Sequence, residues 1–456
     1  MSTVNDDNLS PWDESFDRRS ALVKAGGVGA VLALGGLAGA SRATAGSSQN
    51  AGKVTAFFGQ YGTIAEQEGL RKFILKGFKG DVEAVFAPLG TTAFIDRPRA
   101  EAKAGGKGNI DLLIGLHGDF VTFQNEGLLR PVDAVTKQIT TLPAPLVKSG
   151  KLGTSTQWYA PHGQATYVMV ANKDVIKYMP KGADINALTY GQVFAWAKAI
   201  RKGTGQNRFG LPASDTGLLH RFFQGFLIPS FTGGFVTGFR SKEAVQAWDY
   251  MRQLWQYTHP QSLTYGFMQD PLLSEEVLLG WDHVARLKTA LDQRPDDLVA
   301  FPVPKGPKAR SYMPVIVGLG VPKNAPNPAG ANALIKHLLT ISAQAQMLSL
   351  LGFFPVVRGQ LSKRISPGLL AEAKAVRKQQ TAPDAIQALL PVGIGAENAN
   401  FNKIYRDTFT RIVRNNENIQ SVLKEQGDLL QEIFTKTSAP CWSPDPPSGK
   451  NPCRVK

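Results

Sequence analysis

Asp119 and Asp282 are the carboxylates whose surroundings suggest a role beyond a solvated surface. Asp119 follows Gly115-Leu-His-Gly118, and Asp282 follows Leu279-Gly-Trp281. Facing each other across a cleft, such a pair could act as acid and base in glycoside hydrolysis. The rest of the chain gives that reading little support. It has no Gly-x-Ser-x-Gly elbow and no His-Glu-x-x-His pair. The Gly105-Gly-Lys-Gly108 run lacks the spacing of a phosphate loop and the Ser/Thr after its lysine, so it reads as a solvated loop. We assign no catalytic residue, no metal ligand and no cofactor.

Capture of a hydroxylated ligand suits the residues better. Flat rings cover apolar C–H faces, and planar polar side chains bond hydroxyl edges. Trp281, Tyr61 and Phe231, the last beside Thr232-Gly233-Gly234, offer rings. Gln60, Asp119, His162 and Asp282 offer polar edges, and His117 shares the loop of Asp119. Thr91 and Thr92, after Pro88, could open a helix whose N–H groups face a ligand. Each has a plainer alternative: a core tryptophan, a surface loop, an ordinary N-cap.

The elements that must position these residues alternate. Apolar runs at Val54–Phe58, Val82–Phe86 and Ile110–Ile114 read as strands, with a helical stretch from about Ile64 to Phe78 between the first two. Tyr167–Val170, Phe209–Leu211, Val277–Leu279, Leu298–Val303 and Val315–Val321 continue the series. Thr189 with Gln192 forms a capping box before an apolar helix. Val245, Trp248, Met251 and Trp255 make one helical face, and Asn327-Pro328 opens another helix. Beyond that the chain is mostly helical to about Thr435, with Ile419, Val422, Leu423, Leu430 and Ile433 as a buried stripe. Strands alternating with helices argue for βαβ units and parallel sheets.

Length and composition suggest two or three compact units. Lys and Arg outnumber Asp and Glu by 51 to 36, giving a formal charge of +15. The excess is dispersed, without the basic stripe or module that nucleic-acid binding requires. The first residues read as an export signal, spanning 1–45. Arg18-Arg19 precedes a charge-free, Gly/Ala-rich segment that ends in Ala43-Thr-Ala45. That pattern indicates the twin-arginine route with cleavage, although Ala21 stands where a bulkier apolar residue is usual. A retained membrane anchor is the alternative, but the segment is short for a bilayer span. The two cysteines, Cys441 and Cys453, fall in a turn-rich tail. In an exported protein they read as a disulfide, with unpaired thiols the alternative.

Several segments together carry a family resemblance. They are Val54-Thr-Ala-Phe-Phe-Gly-Gln-Tyr61, Asn109-Ile-Asp-Leu-Leu-Ile-Gly115, Trp158-Tyr-Ala-Pro161 with Tyr167-Val-Met-Val-Ala-Asn-Lys-Asp174, and Leu279-Gly-Trp-Asp282. Phe301-Pro-Val-Pro-Lys-Gly-Pro307, Val317-Gly-Leu-Gly320 and Asn327-Pro-Ala-Gly-Ala complete the order. From Lys53 to about Phe434 this order resembles the family 1 extracellular solute-binding proteins, the maltose, oligosaccharide and glycerol-phosphate receptors of ABC importers. Ala171 stands where the family usually has tyrosine, and the charge is more basic than the resemblance implies.

The resemblance implies an α/β, two-lobed periplasmic-binding-protein fold of type II, with a cleft between lobes and hinge crossovers near Pro161, Ser311 and Phe354. Lobe 1 would take residues 46–161 and 312–354, and lobe 2 residues 162–311 and 355–436. A disulfide-pinned tail would follow at 437–456. Trp281 would stack on the ligand, and Gly318 would lie in a hinge strand lining the site. The function implied is an exported, monomeric receptor that captures a carbohydrate and hands it to permease subunits of an ABC importer. Arg221, Arg240 and Arg286 keep an anionic solute such as a glycerol phosphate open. The residues also leave room for a polyamine receptor, a degenerate signalling receptor or a secreted hydrolase.

Overall fold

The computed structural model describes residues 51–88, 91–361 and 365–456. The export signal, with Arg18, Arg19, Ala43 and Ala45, lies outside them. Twelve strands in the described residues form two main sheets and one separate pair. They are β1 (Lys53–Phe58), β2 (Asp81–Phe86), β3 (Leu112–Leu116), β4 (Leu129–Arg130), β5 (Ala160–Ala165), β6 (Tyr167–Asn172), β7 (Phe209–Gly210), β8 (Leu279–His283), β9 (Leu298–Phe301), β10 (Arg310–Tyr312), β11 (Val315–Pro322) and β12 (Ala385–Gln387). The first sheet runs β2-β1-β3-β11-β4, with β5 also paired to β11; the second runs β7-β8-β6-β9. Strands β10 and β12 make a small parallel pair. Helices pack around each main sheet, giving two α/β lobes.

The sheets are mixed, not parallel throughout as the alternating pattern suggested. β1 is parallel to β2 and β3, but β11 is antiparallel to β3, β4 and β5. β11 returns from the second sheet instead of following a crossover helix of its own, so nothing forces it into the parallel direction. Its glycines serve packing. A Cβ on Gly318 would lie 2.8 Å from Phe120 Cε2 and closer still to the Tyr159 ring. The Phe120 and Tyr159 rings stack at 4.8 Å beneath this strand.

Local chemistry starts the helices where the sequence suggests. Thr63 and Glu66 form a capping box at the helix Ile64–Gly69, and Thr189 and Gln192 form another at Tyr190–Thr204. Asn327 accepts from the Gly330 N–H at 2.9 Å and opens Pro328–Leu338. Buried Asp111 accepts from Thr55 N at 2.8 Å and Asn327 N at 2.6 Å, so one carboxylate ties β1 to that helix start.

Three stretches connect the sheets. The first passes at Thr166 instead of Pro161, because β5 stays paired with β11 through Ala165. The second passes at Met313 and Pro314, between β10 and β11. The third follows Phe354, leading to the helix Pro367–Gln380, which packs on β9 and the helix Val284–Gln293. The Thr166 hydroxyl donates to the Met313 carbonyl at 2.8 Å, and Gln164 and Phe354 exchange backbone bonds at 3.1 and 2.7 Å.

The C-terminal segment is part of the second lobe. Cys441 and Cys453 are joined in a disulfide. Trp442 packs against Phe235, Phe401 and Phe434 at centroid distances of 5.8, 5.9 and 5.6 Å. Buried Asp445 accepts from the Phe235, Val236 and Thr237 N–H groups and from the Thr237 hydroxyl, the last at 2.6 Å. Removing it orphans those buried donors. Asp445→Ala is therefore expected to cost about 3 kcal/mol of stability, read from urea denaturation, whereas a free surface tail would lose nothing.

Candidate functional site

A cavity of about 360 Å³ lies between the lobes, within the range of small-molecule sites. The first lobe contributes Gln60, Tyr61, Thr91, Thr92 and Asp119 to its wall. The second contributes Tyr167, His220, Arg221, His283 and Arg286. Phe353 and Val315 line it at the crossings, and Asn398, Asn402 and Arg406 come from the helix Asn398–Phe409.

Five sequence candidates thus meet at one place. Tyr61 sits at φ 64°, a left-handed conformation unusual for a bulky residue and a mark of functional sites. Its ring meets Phe353 edge-on at 5.1 Å, and its hydroxyl has no partner. Gln60 donates to the Gly59 carbonyl at 2.7 Å, which fixes its amide beside the cavity. Thr91 donates to the Pro88 carbonyl at 2.8 Å. Thr92 precedes the helix Ala93–Ala104 without capping it through its side chain, so the first N–H groups of that helix remain near the wall. Asp119 accepts from Leu116 N at 2.8 Å, and burial lifts its pKa to about 6.

The other candidates lie elsewhere. Trp281 is fully buried and stacks on Tyr167 at 4.7 Å, with Phe222 and Phe226 against its edges. The strand expected to end at Leu279 instead runs Leu279–His283 in the middle of the sheet. This draws Trp281 into the core and leaves Tyr167 as the ring on the cavity wall. Asp282 is buried and committed to the Met268 and His283 N–H groups at 2.9 and 2.7 Å. It cannot pair with Asp119 as a hydrolytic dyad.

His162 is buried in β5, with its ring edge-on to Tyr61 at 6.4 Å and both ring nitrogens unpartnered. Burial lowers its pKa to about 3. His117 turns from the cleft to the Tyr159 hydroxyl, 2.9 Å away, and burial lowers its pKa to about 4. Phe231 packs against Tyr190 at 5.6 Å. Gly318 accommodates Tyr159 and Phe120 rather than a ligand. Arg240 pairs with Asp428 at 2.6 Å and does not line the cavity, unlike Arg221 and Arg286.

Sequence reasoning missed Tyr167, His220, His283, Phe353, Asn398, Asn402 and Arg406. A signal existed for the last three. They recur every four residues on one helix, in a stripe beside the buried Phe401 and Tyr405. His283 caps its helix by accepting from Ala285 N at 3.2 Å, and burial lowers its pKa to about 3. Arg221 donates to Gln224 at 3.0 Å, and Gln224 donates to Asn402 at 3.0 Å. This chain of bonds holds the second-lobe wall to the helix Asn398–Phe409.

Two α/β lobes, three crossings and a polar cavity between them define a hinged solute receptor. The chain belongs to the family of bacterial extracellular solute-binding proteins, whose sequence model matches residues 61–345. It is similar in fold to the GacH receptor of Streptomyces glaucescens, solved unliganded and with acarbose, at TM-score 0.66 and 17% identity over 84% of this chain and 98% of that one. It is likewise similar to maltose-bound MalE3 of T. maritima, at TM-score 0.64 and 19% identity over 84% of this chain and 100% of that one. UgpB from Mycobacterium tuberculosis, in complex with glycerophosphocholine, gives TM-score 0.63 and 14% identity over 84% and 98%. A comparison with curated proteins returns no match. Among the described residues, no helix is long and apolar enough to cross a membrane.

The placement of Trp281 has a direct test. Trp281→Ala is expected to lower stability by roughly 3–5 kcal/mol in denaturant titrations, the cost of an emptied aromatic core position. A ligand-stacking ring at the surface would cost far less.

Proposed function

We propose that this chain is an extracytoplasmic receptor that captures a carbohydrate in the interlobe cavity and delivers it to an ABC importer by hinge closure. The carrying observation is the composition of the wall. Tyr61, Tyr167 and Phe353 offer rings, while Gln60, Asn398, Asn402 and the two threonines offer planar or hydroxyl partners, drawn from both lobes. That combination suits the C–H faces and hydroxyl edges of a sugar. The fold neighbours that carry acarbose and maltose agree with it. In this reading lobe 1 comprises residues up to Ala165 with 315–354, and lobe 2 comprises 167–312 with the remainder.

Export by the twin-arginine signal, release of residues 1–45 and action as a monomer belong to the same proposal. The receptor performs no hydrolysis itself. The Asp282 carboxylate is committed to backbone donors, which takes away the second member of the carboxylate pair considered from the sequence. Scanning fluorimetry of the processed protein against sugars, glycerol phosphates and polyamines should give melting shifts with sugars. Shifts from polyamines or from glycerol phosphate alone would sink the carbohydrate reading.

Closure also has a mechanical test. Gly118, at the start of the helix His117–Asn125, abuts the Pro391 carbonyl, and a Cβ there would fall deep inside van der Waals contact. The first lobe thus touches a loop that joins the second-lobe helices. Gly118→Val should wedge the lobes apart and weaken solute binding about tenfold or more by titration calorimetry, although Gly118 does not line the cavity. Unchanged affinity would show that closure does not require this contact.

A further inference from the structure

Three guanidinium groups converge on the second-lobe side of the cavity. Arg221 leaves the helix Leu219–Phe222, Arg286 the helix Val284–Gln293 and Arg406 the helix Asn398–Phe409. Arg221 and its neighbour His220 are buried, at 7% and 5% exposure. All three charges act on His220 and, together with burial, hold its imidazole neutral. His220 Nδ1 is buried without a partner.

Several arginines elsewhere in the second lobe have carboxylates, although Arg201 and Arg208 reach an amide and backbone carbonyls instead. Arg240 pairs with Asp428, Arg252 with Asp249, and Arg294 with Asp297. Among the described residues, none pairs with Arg221, Arg286 or Arg406. Arg221 reaches only the Gln224 amide, and Arg286 only the Gly266 carbonyl and the face of Phe267. The acids on the same wall do not neutralise the cluster. Glu66 is held by Thr63, Asp215 is exposed at the rim, and Asp119 stands on the opposite lobe, bonded to Leu116 N. Asp282, behind Arg286, is committed to backbone donors.

Guanidinium groups gathered in a concave site without carboxylate partners, one buried and two half-buried, lack the counter-charge that desolvated cations require. We propose that Arg221, Arg286 and Arg406 form a subsite for the anionic group of the solute, and that the solute is an acidic carbohydrate carrying a carboxylate or phosphate. The carbohydrate half of this assignment rests on the function proposed above; the anion half rests on the three arginines alone. Each guanidinium offers a fork of donors that matches an oxyanion. His220 Nδ1 adds a further polar atom at the edge of the cluster. The rings and amides on the remaining wall are left for the neutral part of the molecule.

Calorimetry on the processed protein with matched pairs tests this. The probes are galacturonate against galactose, digalacturonate against galactobiose, and glucose 6-phosphate against glucose, with glycerol 3-phosphate as a non-sugar anion. At least one acidic sugar should bind 10- to 100-fold more tightly than its neutral partner, and more weakly as salt rises. Galacturonate or digalacturonate as the tighter probe assigns a carboxylate, and glucose 6-phosphate a phosphate. Arg406→Gln, on a half-buried helix position, should remove about 10- to 100-fold of the acidic sugar's affinity and so lower the ratio of acidic to neutral affinity. Arg286→Gln provides the same reading should the first variant fail to fold. Tight binding of neutral sugars with no gain from charge overturns the anion subsite and leaves the carbohydrate reading intact. Binding of glycerol 3-phosphate alone, lost in Arg406→Gln, keeps the subsite and overturns the carbohydrate reading. Absence of binding by every anionic probe, or equal loss for neutral and acidic sugars in the variant, overturns the proposal.

Discussion

The seam between the lobes is the constraint on which the structure depends. Each lobe is assembled from separate stretches, so the crossings must hold together while allowing rotation. Three sets of bonds do the holding. Thr166 donates to Met313, Gln164 and Phe354 exchange backbone bonds, and the Gln344 amide donates to the His162 carbonyl and accepts from Val356 N, each at 2.8 Å. These groups are buried, so their bonds are not exchanged for water and keep the crossings in register. Gly163 lies against Met347 and Phe353 at the seam, and the Phe353 ring meets Tyr61 there. Crossings held in register by a few buried bonds are suited to hinge motion.

Because the seam fixes which ends of the strands face each other, it also fixes what the cavity can contain. The wall residues follow the C-terminal end of β1, sit at the start of β6 and the end of β8, and include starts of the helices after β1, β2, β3 and β8. Tyr61 shows the cost of this arrangement, since it takes a left-handed conformation at the end of β1. The ring behind it, His162, is held neutral by burial, so the floor of the site is polar but uncharged. Positive charge is confined to the second-lobe wall, and Asp119 and Glu66 supply the acids on the first-lobe side.

Much of the fold was legible in the sequence because its signals are local. Capping pairs such as Thr189 with Gln192 and apolar runs such as Leu112–Ile114 need only near neighbours to be read. The site was legible where it sits on such a run, as with Gln60, Tyr61 and Asp119. It was illegible where strand limits decided the matter. A strand that extends to His283 turns Trp281 from a loop ring into a core ring, and Gly-Trp-Asp reads the same either way. Tyr167 was visible as a strand residue, but its exposure to the cavity depends on the pleat and on Trp281 behind it. The helix Asn398–Phe409 joins the site from far along the chain. Its polar stripe resembles any solvated face until the fold brings it against the cleft.

The unpaired arginines bear on how binding and closure are coupled. In an open cleft, Arg221, Arg286 and Arg406 keep water around their charges. Closing the lobes removes part of that water, and Asp119 on the opposite wall supplies only one counter-charge, outside ion-pair distance. Desolvating three cations for one carboxylate is unfavourable. An anion between the lobes reverses the balance, since it meets the guanidiniums in a medium where charge pairing is stronger than in water. A ligand shifts a two-state equilibrium only by its differential affinity for the two states. In the proposed site charge contributes to that difference beside the rings and amides that the two lobes bring together. The positive wall then does more than select the ligand. It holds the empty receptor open, so that closure reports an occupied cleft to the importer.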